Sequence, residues 1–175
     1  MNWKQAYQGL RDTLDRMPAD AQRLEFLRVV QHWLSENVDL FGENAERYGL
    51  GDYASMDLGS YPIESSSLNT AEEIKRDMAV PTSSVTILAQ RLRNIFWEGL
   101  TIDTGVECPQ CSSGSLRVLR SPIGEQPVFA CDLCSWAQTV DGAKWEEPPL
   151  VPPTRALVDR WRASGVLPTD LAKMQ

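Results

Sequence analysis

The chain has a single histidine, His32, only four cysteines, and no continuous apolar stretch near the roughly 18 residues that a membrane-spanning helix requires. Its opening, MNWKQAYQGLRDTLDR, lacks the apolar core of a secretory signal, so the expected location is the cytosol, where thiols stay reduced. The motifs H-E-x-x-H, G-x-S-x-G and G-x-x-x-x-G-K-[ST] do not occur, and neither does an internal repeat or a low-complexity tract. His32 sits next to Trp33 within a helical pattern and reads as a packed or surface residue, not a catalytic base. Glu72 and Glu73 suit a helix N-terminus, and Glu146 and Glu147 suit a solvated linker. An enzyme is therefore the least supported class.

At 175 residues and 42% hydrophobic composition, the chain is long enough to bury a real core in one or at most two domains. The net charge of −7 is unevenly spread: −5 over residues 1–99, −4 over 100–147 and +2 over 148–175. An acidic body repels phosphate backbones at long range and steers a basic partner inward.

The N-terminal part has helical periodicity. Trp3, Tyr7, Leu10, Leu14 and Met17 share one helix face, and Leu24, Leu27, Val30, Leu34 and Val38 repeat the stepping after Pro18. The two helices should form a hairpin across the short link Pro18–Ala19–Asp20, their stripes facing. Glycines 42, 49, 51 and 59, Pro62 and the run Ser65, Ser66, Ser67 predict a long irregular connection over 39–69, with one helical turn near Glu43 to Tyr48, mobile or binding in character. Thr70 and Glu73 have capping-box spacing for a third helix from Ala71 to Met78 or Ala79, stopped by Pro81. A fourth helix carries Val85, Leu88, Leu92 and Ile95, with Ser83 or Ser84 as cap and Gly99 as terminator.

After Thr101 the pattern shortens to alternating pieces around Ser115–Arg120, Val128–Cys131 and Trp136–Val140, which predict strands. EEPPLVPP at 146–153 predicts an extended linker, and Thr154 caps a last helix with Leu157, Val158 and Trp161 before Gly165. The expected fold class is α+β: a helical region over 1–99, a small β domain over 100–147, and a Pro-rich linker with a terminal helix over 148–175.

All four cysteines fall in ECPQC at 107–111 and ACDLC at 130–134, giving C-x2-C-x19-C-x2-C, within the spacing range of tetrahedral zinc. A two-residue gap lets both thiolates of a tight turn converge on one ion. Pro109 stiffens the first turn, and Gly114 offers a positive φ as the chain leaves it. A redox pair calls for a C-x-x-C opening a helix in a βαβ setting, and two disulfides call for an oxidising compartment; the sequence signals neither. Cys108, Cys111, Cys131 and Cys134 are thus the candidate metal ligands for one Zn2+, structural because four thiolates leave no open coordination position.

CPQCSSG with CDLCSWA resembles the zinc ribbons, small β domains built on rubredoxin-like knuckles, over about residues 105–145. The resemblance implies that the four cysteines are the ligands. It departs from the family where Ser112 and Ser135 stand in place of the glycine that many ribbons put directly after a knuckle's second cysteine. Ribbons contact nucleic acids, polymerases and other proteins alike, so the resemblance leaves function open.

Two functions compete. One is a non-catalytic protein-interaction module, such as an inhibitor, immunity or adaptor protein for a basic protein partner. Trp136, Trp145 and Trp161, with Glu146 and Glu147, are its candidate contact residues; Trp3, Trp33 and Trp97 read as helix packing. The other is a nucleic-acid-binding or transcription-associated ribbon using Arg117, Arg120, Arg155, Arg160 and Arg162 on phosphates. Arg117 and Arg120 face opposite sides of a strand and the ribbon segment is itself acidic, which favours the protein partner.

Overall fold

A computed structural model of the chain describes residues 2–18, 21–63, 71–146 and 149–167. Several sequence expectations lie outside these residues: the link at Ala19 and Asp20, the serine run 65–67, the Thr70 cap with the Glu73 side chain, and Glu147. The architecture is α+β, with seven α-helices and one four-stranded antiparallel sheet among the described residues. None of those helices is long and apolar enough to cross a membrane. The chain divides into two compact units, Met1–Leu58 with Ile63–Gly99, and Gly59–Pro62 with Leu100–Gln175.

The first unit is helical. Helix α1, Trp3–Asp15, begins where the Asn2 side chain accepts the backbone N–H groups of Lys4 and Gln5, and it buries Ala6, Tyr7, Leu10 and Leu14. Helix α2, Arg23–Asn37, buries Phe26, Leu27, Val30 and Leu34. The Trp33 indole donates to the Ala6 carbonyl at 2.9 Å and ties the two helices together. Met17 falls beyond the end of α1, and Val38 begins a single 3-10 turn, Val38–Phe41, so neither extends its stripe.

The irregular connection expected over 39–69 is largely ordered helix where it is described. Helices α3, Glu43–Arg47, and α4, Leu50–Ser55, follow the 3-10 turn, and a second 3-10 turn covers Leu58–Ser60. Phe41, Leu50 and Leu58 are buried, α4 packs on α2, and the Gln31 amide donates to the carbonyls of Tyr53 and Met56 at 2.8 and 2.7 Å. Glycine density misled here because Gly42 and Gly49, at φ 52° and 63°, mark the joints between short helices, not a loop.

Helix α5, Ala71–Ala79, buries Ile74 and Met78, four residues apart on one face. Helix α6, Val85–Leu100, starts at Ser84, whose hydroxyl accepts the Ile87 N–H at 3.2 Å. Gly99 does not terminate α6. It lies inside the helix, where a Cβ would come within 2.7 Å of Leu27 Cδ1, so any larger residue there would force the buried Leu27 of α2 to shift.

The second unit holds the sheet, a meander in the order β1-β2-β3-β4. Strand β1, Ile102–Glu107, precedes the expected β2, Ser115–Arg120, β3, Pro127–Cys131, and β4, Ala137–Thr139. The sequence hid β1 because it buries only Ile102 and Thr104 and is bent at Gly105, φ 69°, where the register with β2 shifts. Helix α7, Arg155–Ala163, shares one core with the sheet: Leu157, Val158 and Trp161 cluster with Ile102, Leu116, Val118 and Phe129. Thr154 occupies the N-cap position without a capping bond from its side chain, and Gly165 at φ 72° closes the C-terminus. The preceding Pro-rich stretch is pinned to the sheet, because Val151 and Arg120 exchange two backbone hydrogen bonds of 2.9 Å.

Candidate metal centre

Each C-x-x-C is a tight turn attached to the sheet, and the two turns repeat one hydrogen-bond pattern. In the first, Cys108 N–H donates to the Gly114 carbonyl at 2.7 Å and Ser112 N–H to the Cys108 carbonyl at 2.9 Å. In the second, Cys131 N–H donates to Trp136 at 2.8 Å and Ser135 N–H to Cys131 at 3.2 Å. Because β2 and β3 pair in register, with Leu116 opposite Cys131, the two turns are brought to the same end of the sheet.

The four sulfurs lie within 4.8 Å of one another, and two close contacts cross between the turns: Cys108 to Cys134 at 3.6 Å and Cys111 to Cys131 at 3.7 Å. Sulfurs at about 2.3 Å from one tetrahedral ion stand about 3.8 Å apart, so the cluster matches the cage that four thiolates form around a single metal. A disulfide would bring its sulfurs to about 2.05 Å, and all four cysteines are free. Cys108 and Cys131 are buried, Cys111 is half-buried and Cys134 is exposed. A backbone N–H from Trp136 lowers the Cys134 pKa, but local desolvation and the thiols of Cys108, Cys111 and Cys131 outweigh it and push it up to about 12. Because a metal takes cysteine as thiolate, metal binding to this cluster would release protons and weaken as the pH falls.

Several residues shape the cage without being ligands. Leu133 N–H points at Cys131 Sγ from 3.4 Å. Gly114 does not adopt a positive φ. Its role is proximity, since a Cβ there would lie 3.3 Å from Cys131 Sγ and 3.1 Å from the Leu133 side chain. The left-handed residues are instead Ser112, φ 51°, and Ser135, φ 58°, each directly after the second cysteine of its turn. Both therefore hold a conformation that favours glycine. Ser112→Gly and Ser135→Gly should each stabilise the metal-loaded protein by about 0.5–1 kcal/mol, relief of strain exceeding the added flexibility of the unfolded chain. Urea denaturation of the two variants checks this; destabilisation by either would contradict it.

Asp132, between the cysteines of the second turn, accepts from the Arg117 Nε, and Arg117 Nη1 donates to Thr101 Oγ1 at 3.1 Å. Arg117 is buried on β2, so this bond tethers the second turn to the sheet. Sequence reasoning offered Arg117 as a phosphate contact only in the alternative, nucleic-acid reading, and overlooked Asp132. Only the strand register brings the two together. Of the other arginines, Arg120 donates to the Ser121 carbonyl, Arg155 to the Tyr61 carbonyl, and Arg160 pairs with Glu125.

The candidate contact residues differ in exposure. Trp161 is buried, at 4% exposure, and its indole donates to the Glu125 carbonyl, so it offers packing and not surface. Trp136 is half-buried against the same core. Trp145 is half-buried beside β4, its backbone N–H bonded to Ala137, and Glu146 is exposed and paired with Lys144 at 3.0 Å.

No protein-family profile, curated protein or solved structure matches this chain.

Proposed function

We propose that Cys108, Cys111, Cys131 and Cys134 hold one structural zinc ion, and that the chain is a non-catalytic interaction module, an inhibitor or adaptor in kind, for a basic protein partner. The observation that carries the metal reading is the four-sulfur cage, with cross-turn spacings of 3.6 and 3.7 Å close to those of a tetrahedral thiolate site. Zinc is the metal that such an all-sulfur set takes without redox chemistry, and four thiolates leave it no position for substrate. The partner reading rests on the net charge of −7 and on Arg117, buried on β2 and paired with Asp132, which is thereby withdrawn from any phosphate surface.

The test begins with untagged protein co-purified from its host at low salt. Association with a basic partner should slow markedly with ionic strength, since steering fades over a Debye length of about 10 Å at 0.1 M. Charge reversal then separates the two partner classes. Glu146→Lys should weaken a basic protein partner, and Arg155→Glu with Arg162→Glu should change its binding little. The opposite pattern, together with tight binding of random oligonucleotides at physiological salt, would replace this reading with a nucleic-acid-binding ribbon.

A further inference from the structure

The four cysteines differ in exposure, and two close sulfur contacts cross between the turns. Cys134 is exposed whereas Cys108 and Cys131 are buried, and the Cys108 sulfur stands 3.6 Å from it on the other turn, within a cluster whose four sulfurs all lie within 4.8 Å of one another. The remaining sulfurs, Cys111 and Cys131, form the second contact at 3.7 Å. An oxidant arriving from solvent therefore meets Cys134 first, with a resolving sulfur already beside it.

We propose that the metal centre is a peroxide-sensitive latch, in which Cys134 is the entry point and Cys108 resolves it through a disulfide that joins the two turns. This rests on the zinc reading above. The Cys134 thiolate attacks one oxygen of hydrogen peroxide; an S–O bond forms, the O–O bond breaks, and hydroxide leaves, so that sulfur is oxidised by two electrons and peroxide is reduced. The Cys108 thiolate then attacks the Cys134 sulfur; an S–S bond forms, the S–O bond breaks, and a second hydroxide leaves. Two thiolates and one peroxide thus yield one disulfide and two hydroxides. Only Cys111 and Cys131 remain as ligands, too few to retain a structural zinc.

Release would reach beyond the turns. Cys108 and Cys131 belong to the same buried cluster as Leu157, Val158 and Trp161, so closing one disulfide and losing the ion disturbs the packing under α7. A reductant reverses the disulfide and lets the cage reload, whereas over-oxidation of Cys134 to a sulfinate does not reverse.

The test uses the full chain, zinc content first fixed by elemental analysis, exposed to hydrogen peroxide with a chromogenic zinc chelator present and its disulfides mapped by peptide mass spectrometry. Zinc release accompanied by a Cys108–Cys134 linkage, reversed by dithiothreitol, is the expected result. Cys134→His keeps a four-ligand site while removing the exposed thiol, and should release zinc about tenfold more slowly. Should that variant fail to load zinc, the linkage map of the unaltered chain still decides. Zinc retained under peroxide, a Cys131–Cys134 linkage, or equally fast release from Cys134→His overturns the latch and leaves the zinc reading standing. Absence of zinc from the starting protein overturns both.

Discussion

Stripping the metal with a chelator, or replacing Cys108 with serine, should unfold the second unit while most of the helical circular dichroism of the first persists. Binding of structural zinc is worth about 10–16 kcal/mol in small thiolate sites at neutral pH, as large as the whole stability of a typical domain at about 5–15 kcal/mol. Here two of the four candidate ligands are core residues as well, because Cys108 and Cys131 pack with Phe129, Leu116 and Trp161. Losing the ion leaves those thiols crowded in an apolar cluster with nothing to draw their turns together. Cys134→Ser, at the exposed corner, should be milder than Cys108→Ser. Elemental analysis, near-ultraviolet circular dichroism of the tryptophans and thermal unfolding with and without chelator measure the effect. Protein that carries no metal, or whose unfolding is indifferent to chelator, would refute it.

Leu50→Ala should cost about 2–5 kcal/mol, the range for truncating a buried leucine. Leu50 is fully buried at the start of α4, and α4 packs on α2, where Gln31 secures its final carbonyls. The Tyr53 ring stacks on Phe96 at 5.0 Å and joins α4 to α6. Asp52→Ala, at an exposed position of the same helix, should stay within about 0.5 kcal/mol and serves as the control. Urea denaturation followed by helical circular dichroism compares the two, and limited proteolysis should spare 50–58. A Leu50→Ala cost no larger than that of the control, or early cleavage within α4, would mean that this stretch is the loose connection its glycines suggest.

What the sequence by itself determined was whatever one period or one spacing encodes locally. The stripes of Tyr7, Leu10 and Leu14, of Leu27, Val30 and Leu34, and of Leu88, Leu92 and Ile95 became buried helix faces because side chains at steps of three and four must share a side. The doubled C-x-x-C marked the four cysteines that cluster within metal-binding distance, because a two-residue turn presents two sulfurs in one direction. Short elements were not legible in this way: α3 and α4 have too few residues to display a period, and β1 buries only Ile102 and Thr104.

Tertiary structure alone decided the roles that depend on a distant neighbour. Gly99 and Gly114 look like helix-ending and turn-making glycines, yet each sits where a Cβ would crowd a distant side chain, Leu27 at Gly99 and Leu133 with Cys131 at Gly114. Arg117 looks like a surface cation until strand pairing sets it against Asp132 of the second turn, and Trp161 looks like an interface anchor until α7 folds it onto the sheet. The physical reason is common to these cases: propensity and spacing act over a few residues, whereas steric approach, ion pairing and burial belong to pairs that only the closed chain brings together.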